Sequence, residues 1–296
     1  MASINQVHTA AGLDPPGRNE VVRRALSGIR RIRATPPNRR APLLLSDIRV
    51  LLTSLTAEAG DWPSGAAARR DAALLLMGFA GAHRRSELVA LTLEDVTLHS
   101  TDGLHVRLRR SKTDQEARGT VTALPYGRDP ATCPPCAYVR WRQVLQAWDT
   151  TDPENRRRAV MTVLRRQAAT GSRGEEEGEN APQHCCRGAR LPEPADIDRA
   201  LFPRVHATGA IGATAMTGHA VNEMIQRRAA AAGFTPAQVD KLGGHSLRAG
   251  SSPRRSGRRR RARDHAADRA PLPGDARGVR PGTRPAGRNA VTRLGL

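Results

Sequence analysis

The side chains of this chain that could do chemistry fall into three short segments: Ala82–Leu91 (AHRRSELVAL), Arg109–Gln115 (RRSKTDQ) and His245–Arg248 (HSLR). Their residue types can meet the negative charge of a phosphate group, although no one segment specifies that task. Five-coordinate phosphorus carries extra negative charge, which a guanidinium meets with its own charge and with paired hydrogen bonds in a fixed plane. A loop lysine can pass a proton to a departing oxygen. A histidine three residues before an arginine shares its helical face. Singly, each segment has a bland reading. Arg84 and Arg85 read as a solvated basic face, Lys112 as a solubilising loop residue, and His245 as a capping or packing residue. His83, His105 and His219 read as structural or exposed.

The elements that must position these residues read as mainly helical with one small antiparallel β-sheet, an α+β fold class. Asn19–Arg33 suits a short basic helix, and the prolines of residues 34–42 (ATPPNRRAP) stop it and suit a linker. Ser46 is expected to cap a helix whose core-facing stripe is Ile48, Leu51, Leu52 and Leu55. Residues 66–80 are apolar enough for a buried helix, and Arg84–Leu91 adds a further turn or two. Leu104, Val106 and Leu108 alternate with polar residues as in a strand. Val121–Leu124 is a second strand, so the polar connection carrying Lys112 closes a β-hairpin. Pro134 and Pro135 can open a helix with the stripe Trp141, Val144, Leu145 and Trp148. Residues 150–197 read as a surface insertion, partly disordered, with a basic helical piece at Arg156–Arg166. Val221, Met224 and Ile225 lie on a helix beginning near His219, and Thr235 caps a short helix opened by Pro236.

The 48 Lys+Arg against 28 Asp+Glu leave a net +20, which favours a polyanion such as nucleic acid or an acidic membrane surface. Half of that excess lies in residues 251–296, where 13 Arg face 3 Asp. No apolar run approaches the roughly 20 residues of a membrane span, and the N-terminal MASINQVHTAAGLDPPG lacks an apolar signal core. A cytoplasmic, nucleoid-associated location is expected. Cys133, Cys136, His184, Cys185 and Cys186 could be drawn into a zinc site. Adjacent cysteines are awkward for a tetrahedral ion, however, and the second cluster lies in a polar stretch. Ordinary reduced thiols, no metal and no cofactor are expected.

Taken in order, R-R-S-E-L, the S-K-T between two strands and H-x-x-R make residues 40–250 resemble the tyrosine recombinase, or phage integrase, family. The resemblance implies that Arg84 and Arg248 clamp the scissile phosphate and that Lys112 is the general acid. It implies that His245 hydrogen-bonds or transfers a proton, and that Glu87 orients an arginine. Arg85, Arg109 and Arg110 are expected at the DNA backbone. The family's chemistry is metal-free strand cleavage and rejoining through a 3′-phosphotyrosine. Its partner is double-stranded DNA, and intact relatives act as homo-tetramers on it. The implied organisation is a remnant of an N-terminal DNA-clamping domain at 1–33, a linker at 34–42, a catalytic domain at 43–250 with the insertion near 150–197, and a disordered Arg/Pro/Gly-rich tail at 251–296.

The chain departs from the family at the nucleophile. Only Tyr126 and Tyr138 are present, and residues 251–296 contain no Lys, Glu, Gln, Ile, Phe, Met, Trp, Tyr or Cys. The family places a second His or Trp, and then a tyrosine nine residues later, in that region. Residues 264–282 (DHAADRAPLPGDARGVRPG) have codons that, read one nucleotide later, can spell T-M-R-Q-T-G-H-R-S-L-A-T, three free positions, then Y-V-R. The histidine falls on the codon of Ala270 and the tyrosine on that of Val279. A frameshift just after Gly250 accounts for the tail, and the chain as written is expected to be catalytically inactive. The rival expectations are a non-catalytic DNA-binding protein and a zinc-binding interaction module. Sequencing codons 248–290 checks the frameshift: the expected outcome is the Gly-His–Tyr motif one nucleotide out of register, and codons that cannot spell it end the idea.

Overall fold

The computed structural model describes residues 2–33, 40–109, 119–171 and 183–251, so Arg110, Lys112 and the tail from residue 252 lie outside the described residues. The chain divides into two compact units, Met1–Arg39 and Arg40–Leu296. The first holds helix α1 (Ala2–Ala10), a 3₁₀ turn at Pro16–Arg18 and helix α2 (Glu20–Arg33). The Asn5 side chain accepts a hydrogen bond from Gly17 N at 2.9 Å and holds α1 to the turn. Helix α2 is the basic helix expected from Asn19–Arg33.

The second unit is mostly helical with small antiparallel sheets. Its first helix, α3 (Leu45–Glu58), buries the expected stripe Ile48, Leu51, Leu52 and Leu55. Its cap is not Ser46: the Leu44 N–H donates to the Asp47 carboxylate at 2.7 Å, because an acid in the first turn can reach back to an orphan amide. Helix α4 (Ser64–Gly81) is buried along nearly its whole length and runs through the core. It stops at Ala82, which adopts left-handed φ 53° and turns the chain into helix α5 (Arg85–Val89). Strands β1 (Val96–His99), β2 (Gly103–Leu108) and β3 (Thr120–Leu124) form an antiparallel sheet in that order. The β2–β3 hairpin is the expected one, and Leu108 opposite Thr120 ends the register on either side of the lysine loop.

Helix α6 (Pro134–Asp149) buries Trp141, Val144 and Leu145, and the Trp141 indole N–H donates to Leu201 O at 2.7 Å. Helix α7 (Arg156–Gly171) packs on α6 and buries Val160 and Leu164. The stretch read as a surface insertion thus supplies core residues. Its many arginines masked the two apolar positions four residues apart that turn inward. Strands β4 (Pro203–Val205) and β5 (Ile211–Ala215) pair antiparallel. Helix α8 (Gly218–Ala231) is capped by Thr217, α9 (Pro236–Val239) by Thr235, and α10 (Gly244–Ser251) follows.

Two residues read as linker, Arg40 and Ala41, are tied into this unit, as is Leu43 just after them. Arg40 donates to Leu242 O at 3.1 Å, and Ala41 N donates to Lys241 O at 2.7 Å. Leu43 N donates to Ser246 O at 3.0 Å, so the extended chain at 40–43 braces the start of α10.

A buried ion network crosses the core. Arg70 donates twice to Asp71 Oδ1, at 2.9 and 2.7 Å, and once to Pro203 O at 3.2 Å. Arg228 donates to Asp71 Oδ2 at 2.8 Å and to Glu58 Oε2 at 2.7 Å. Burial works against the Arg228 charge, but Asp71 and Glu58 outweigh it and hold its pKa above the usual value. The network joins α3, α4, α8 and β4. Removing one partner of such a buried set costs about 3–5 kcal/mol, because it strands an uncompensated charge.

Candidate functional site

The turn between α4 and α5 leads into Arg84 and is contacted by Arg248. Arg84 is the N-cap of α5, and its N–H donates to Glu87 Oε2 at 2.8 Å. Its guanidinium donates to Glu87 Oε1 at 2.6 Å. Glu87 is 8% exposed. One buried carboxylate therefore accepts from both the backbone and the side chain of Arg84 at the start of the helix. Arg248, on α10, donates from Nη1 to the Ala82 carbonyl at 3.3 Å, a contact that spans 166 residues of chain. His245 lies three residues before Arg248 on α10, and both are exposed.

Two features seat α5 and α10 beside each other. Gly78 on α4 has no side chain, and a Cβ there would lie 2.8 Å from Leu88 of α5 and 3.0 Å from Leu247 of α10. A larger residue would push both helices off α4. At the other end of α10, the Gly244 N–H donates to Asn222 Oδ1 of α8 at 2.7 Å.

Arg85 is half-buried, and its stem runs along Gly244 and Gly218: a Cβ on Gly244 would lie 2.8 Å from its own Cβ. Its aliphatic part packs α5 against α8 and α10. Arg109 was expected at the DNA backbone. It donates instead to Asp95 Oδ1 at 2.7 Å, Glu94 Oε2 at 2.5 Å and Thr92 Oγ1 at 3.1 Å. Arg107 pairs with the same two acids. Burial tends to raise the Asp95 pKa, but the Thr92 amide and the Arg109 guanidinium hold it below the ordinary carboxylate value. Arg109 is thereby charge-compensated within the chain. Lys112 and Arg110 lie outside the described residues, between the ends of β2 and β3.

Both tyrosines are hydrogen-bonded to backbone carbonyls. Tyr138 is 3% exposed and donates to Val96 O at 3.2 Å. Tyr126 donates to His99 O at 2.8 Å and lies under the Arg187 guanidinium. Burial pushes both phenol pKa values up, away from phenolate.

Two further groups stand out. His83 was read as structural or exposed and is buried at 1% exposure, directly beside Arg84, with Nε2 lacking a hydrogen-bond partner. The cysteines are the second group. Cys133, Cys136, His184 and Cys186 bring one ligand atom each to a common point, all within 4.8 Å of one another. The awkwardness of adjacent cysteines does not arise, because Cys185 turns aside and donates to Cys136 O at 3.6 Å. The C-P-P-C and H-C-C spacings were the only sequence signal for it.

Over 149 residues the chain is 33% identical to an integrase/recombinase xerD homolog of Selenomonas ruminantium, covering 49% of this chain and 42% of that protein. This similarity supports a catalytic domain of the tyrosine recombinase family. The matched stretch thus spans less than half the length of that relative. No family model matches the chain. Among solved structures, a XerH site-specific recombinase bound to its difH substrate is similar with a TM-score of 0.36 and 14% identity, over 72% of this chain and 41% of that one.

His83 makes the site pH-sensitive. Burial, first of all, and the Arg248 charge bring its pKa to about 4 from the ordinary 6.5, while Glu87 pulls the other way. The unfolded chain binds this proton below about pH 6.5 and the folded chain only near 4. The stability present above pH 6.5 is therefore lost as pH falls toward 4, by about 3 kcal/mol from this group. Urea unfolding between pH 7 and pH 4.5 is expected to be less pH-dependent in His83→Leu than in the parent chain. Equal slopes would show that His83 is not held neutral.

Proposed function

We propose that this chain is a DNA-binding member of the tyrosine recombinase family, built for site-specific recombination or integration of double-stranded DNA and lacking its nucleophile. Arg84 and Arg248 clamp one backbone phosphate, His245 hydrogen-bonds the same group, and Lys112, in the sequence between β2 and β3, is the general acid. The observation that carries this reading is the Arg248 contact with Ala82 O, which brings the H-x-x-R arginine to the turn that begins R-R-S-E-L. Supporting it, Glu87 accepts one hydrogen bond from the Arg84 backbone N–H and one from its guanidinium, which ties that group down at one nitrogen before a phosphate arrives. The relative's similarity points the same way.

In this reading the clamp stabilises charge on the phosphorus oxygens while the tyrosine oxygen attacks and the 5′ oxygen leaves. The chain's own tyrosines are buried or bonded to backbone carbonyls, so the step has no attacker. The expected protein binds duplex DNA and leaves it intact. Tetramer assembly on DNA, as in intact relatives, belongs to the same proposal, as does a catalytic domain at residues 43–250.

The test combines binding and trapping. Affinity for a duplex is expected to fall at least about tenfold between roughly 50 and 200 mM salt, as counterion release requires. On a nicked duplex that traps phosphotyrosine, no covalent adduct is expected. Grafting the frame-restored C-terminal segment with its tyrosine is expected to yield adduct, which Arg84→Ala then lowers about 10²–10³-fold. Salt-insensitive binding, or adduct from the ungrafted chain, contradicts the proposal.

A further inference from the structure

Four potential ligand atoms converge where the start of α6 meets the segment around residue 185. Cys133 is the N-cap of α6, and Cys136 lies in its first turn. His184 and Cys186 come from about 50 residues further along the chain. The sulfurs of Cys136 and Cys186 are 3.3 Å apart, and those of Cys133 and Cys186 are 3.9 Å apart. His184 Nδ1 lies 3.4 Å from the Cys136 sulfur and 3.9 Å from the Cys186 sulfur. An ion bound tetrahedrally at about 2.3 Å from sulfur and about 2.0 Å from nitrogen needs sulfurs about 3.8 Å apart and sulfur–nitrogen pairs about 3.5 Å apart. The observed separations bracket those values.

The surroundings point to a ligand as well. His184 Nε2 lies 3.2 Å from Arg128 O, and a carbonyl only accepts, so Nε2 carries the ring proton. Nδ1 then turns its lone pair toward the three sulfurs, the arrangement a metal-binding histidine adopts with its outer partner. Gly127 N donates to the Cys133 sulfur at 3.3 Å, a hydrogen bond that favours thiolate. The three cysteines are buried at 0, 0 and 1% exposure, so the cluster holds them away from water.

We propose that Cys133, Cys136, His184 and Cys186 bind one zinc ion in a closed structural site. Three sulfurs and one imidazole select a borderline-soft tetrahedral ion. All four positions come from the protein and none is open, so the ion is structural and not catalytic. On binding, each ligating thiol gives its proton to solvent. The ion clasps the 183–188 segment to the start of α6, across the 172–182 stretch that lies outside the described residues. It stabilises the flank of the helix whose Trp141 anchors the core. This inference is independent of any action on DNA.

The test is metal analysis of the full chain, purified with reductant and without chelator. About one zinc per chain is expected. Cys186→Ser is expected to lose at least about nine-tenths of it, whereas Cys185→Ser keeps it, although the two residues are adjacent. Less than about a tenth of an equivalent in the parent, a Cys136–Cys186 disulfide in its place, or equal losses in the two variants would overturn the proposal. If Cys186→Ser fails to fold, cobalt(II) exchanged into the parent chain decides. The intense visible bands and thiolate charge-transfer absorption of a tetrahedral sulfur-rich site are expected. Weak octahedral bands or no uptake contradict it.

Discussion

The fully buried carboxylate of Asp71 lies between two guanidinium groups, Arg70 beside it on α4 and Arg228 on α8. These charges are costly to bury and are tolerable only together, so the helices that carry them have one mutual arrangement. Glu58 brings in α3 and Pro203 O brings in β4. With α4 held at its middle, its C-terminal turn presents Arg84, and Gly78 near its end receives Leu88 and Leu247. The position of Arg248 beside that turn is thus inherited from packing on α4. The site is a consequence of how one helix is clamped, more than of contacts within the site itself.

Much of the helical framework could be read from periodicity. The stripes Ile48–Leu55 and Trp141–Leu145 are buried as their spacing requires, and the β2–β3 alternation forms the expected hairpin. Short elements were not readable. Strand β1 alternates Val96, Leu98 with Thr97, His99 but is only four residues long, too short to stand out, and β4–β5 carries a register irregularity and glycine or proline within its short strands. Helix α7 hid two core residues among arginines. The Asp71 network, Asn222 and the neutral His83 left no local pattern, because their partners lie far away in the chain.

Of the candidate site, the helix start at Arg84–Glu87 was legible because an acid three residues on has a recognisable geometry. The basic residues near the hairpin were less so. A count of positive charge does not distinguish Arg109, already paired with Glu94 and Asp95, from an arginine with a phosphate to meet. The cysteines show the same limit from the other side. Their spacing suggested an ion, and only the fold turns Cys185 out and Cys186 in.

The central claim is that Arg84 and Arg248 act on the same phosphate, and a double-mutant cycle on DNA affinity tests it most directly. Groups that share one ligand couple by roughly 0.5–3 kcal/mol, whereas independent sites add within about 0.5 kcal/mol. The account predicts that Arg248→Ala weakens binding much less once Arg84→Ala is present. Losses that simply add would place the two guanidinium groups on different phosphates and contradict it.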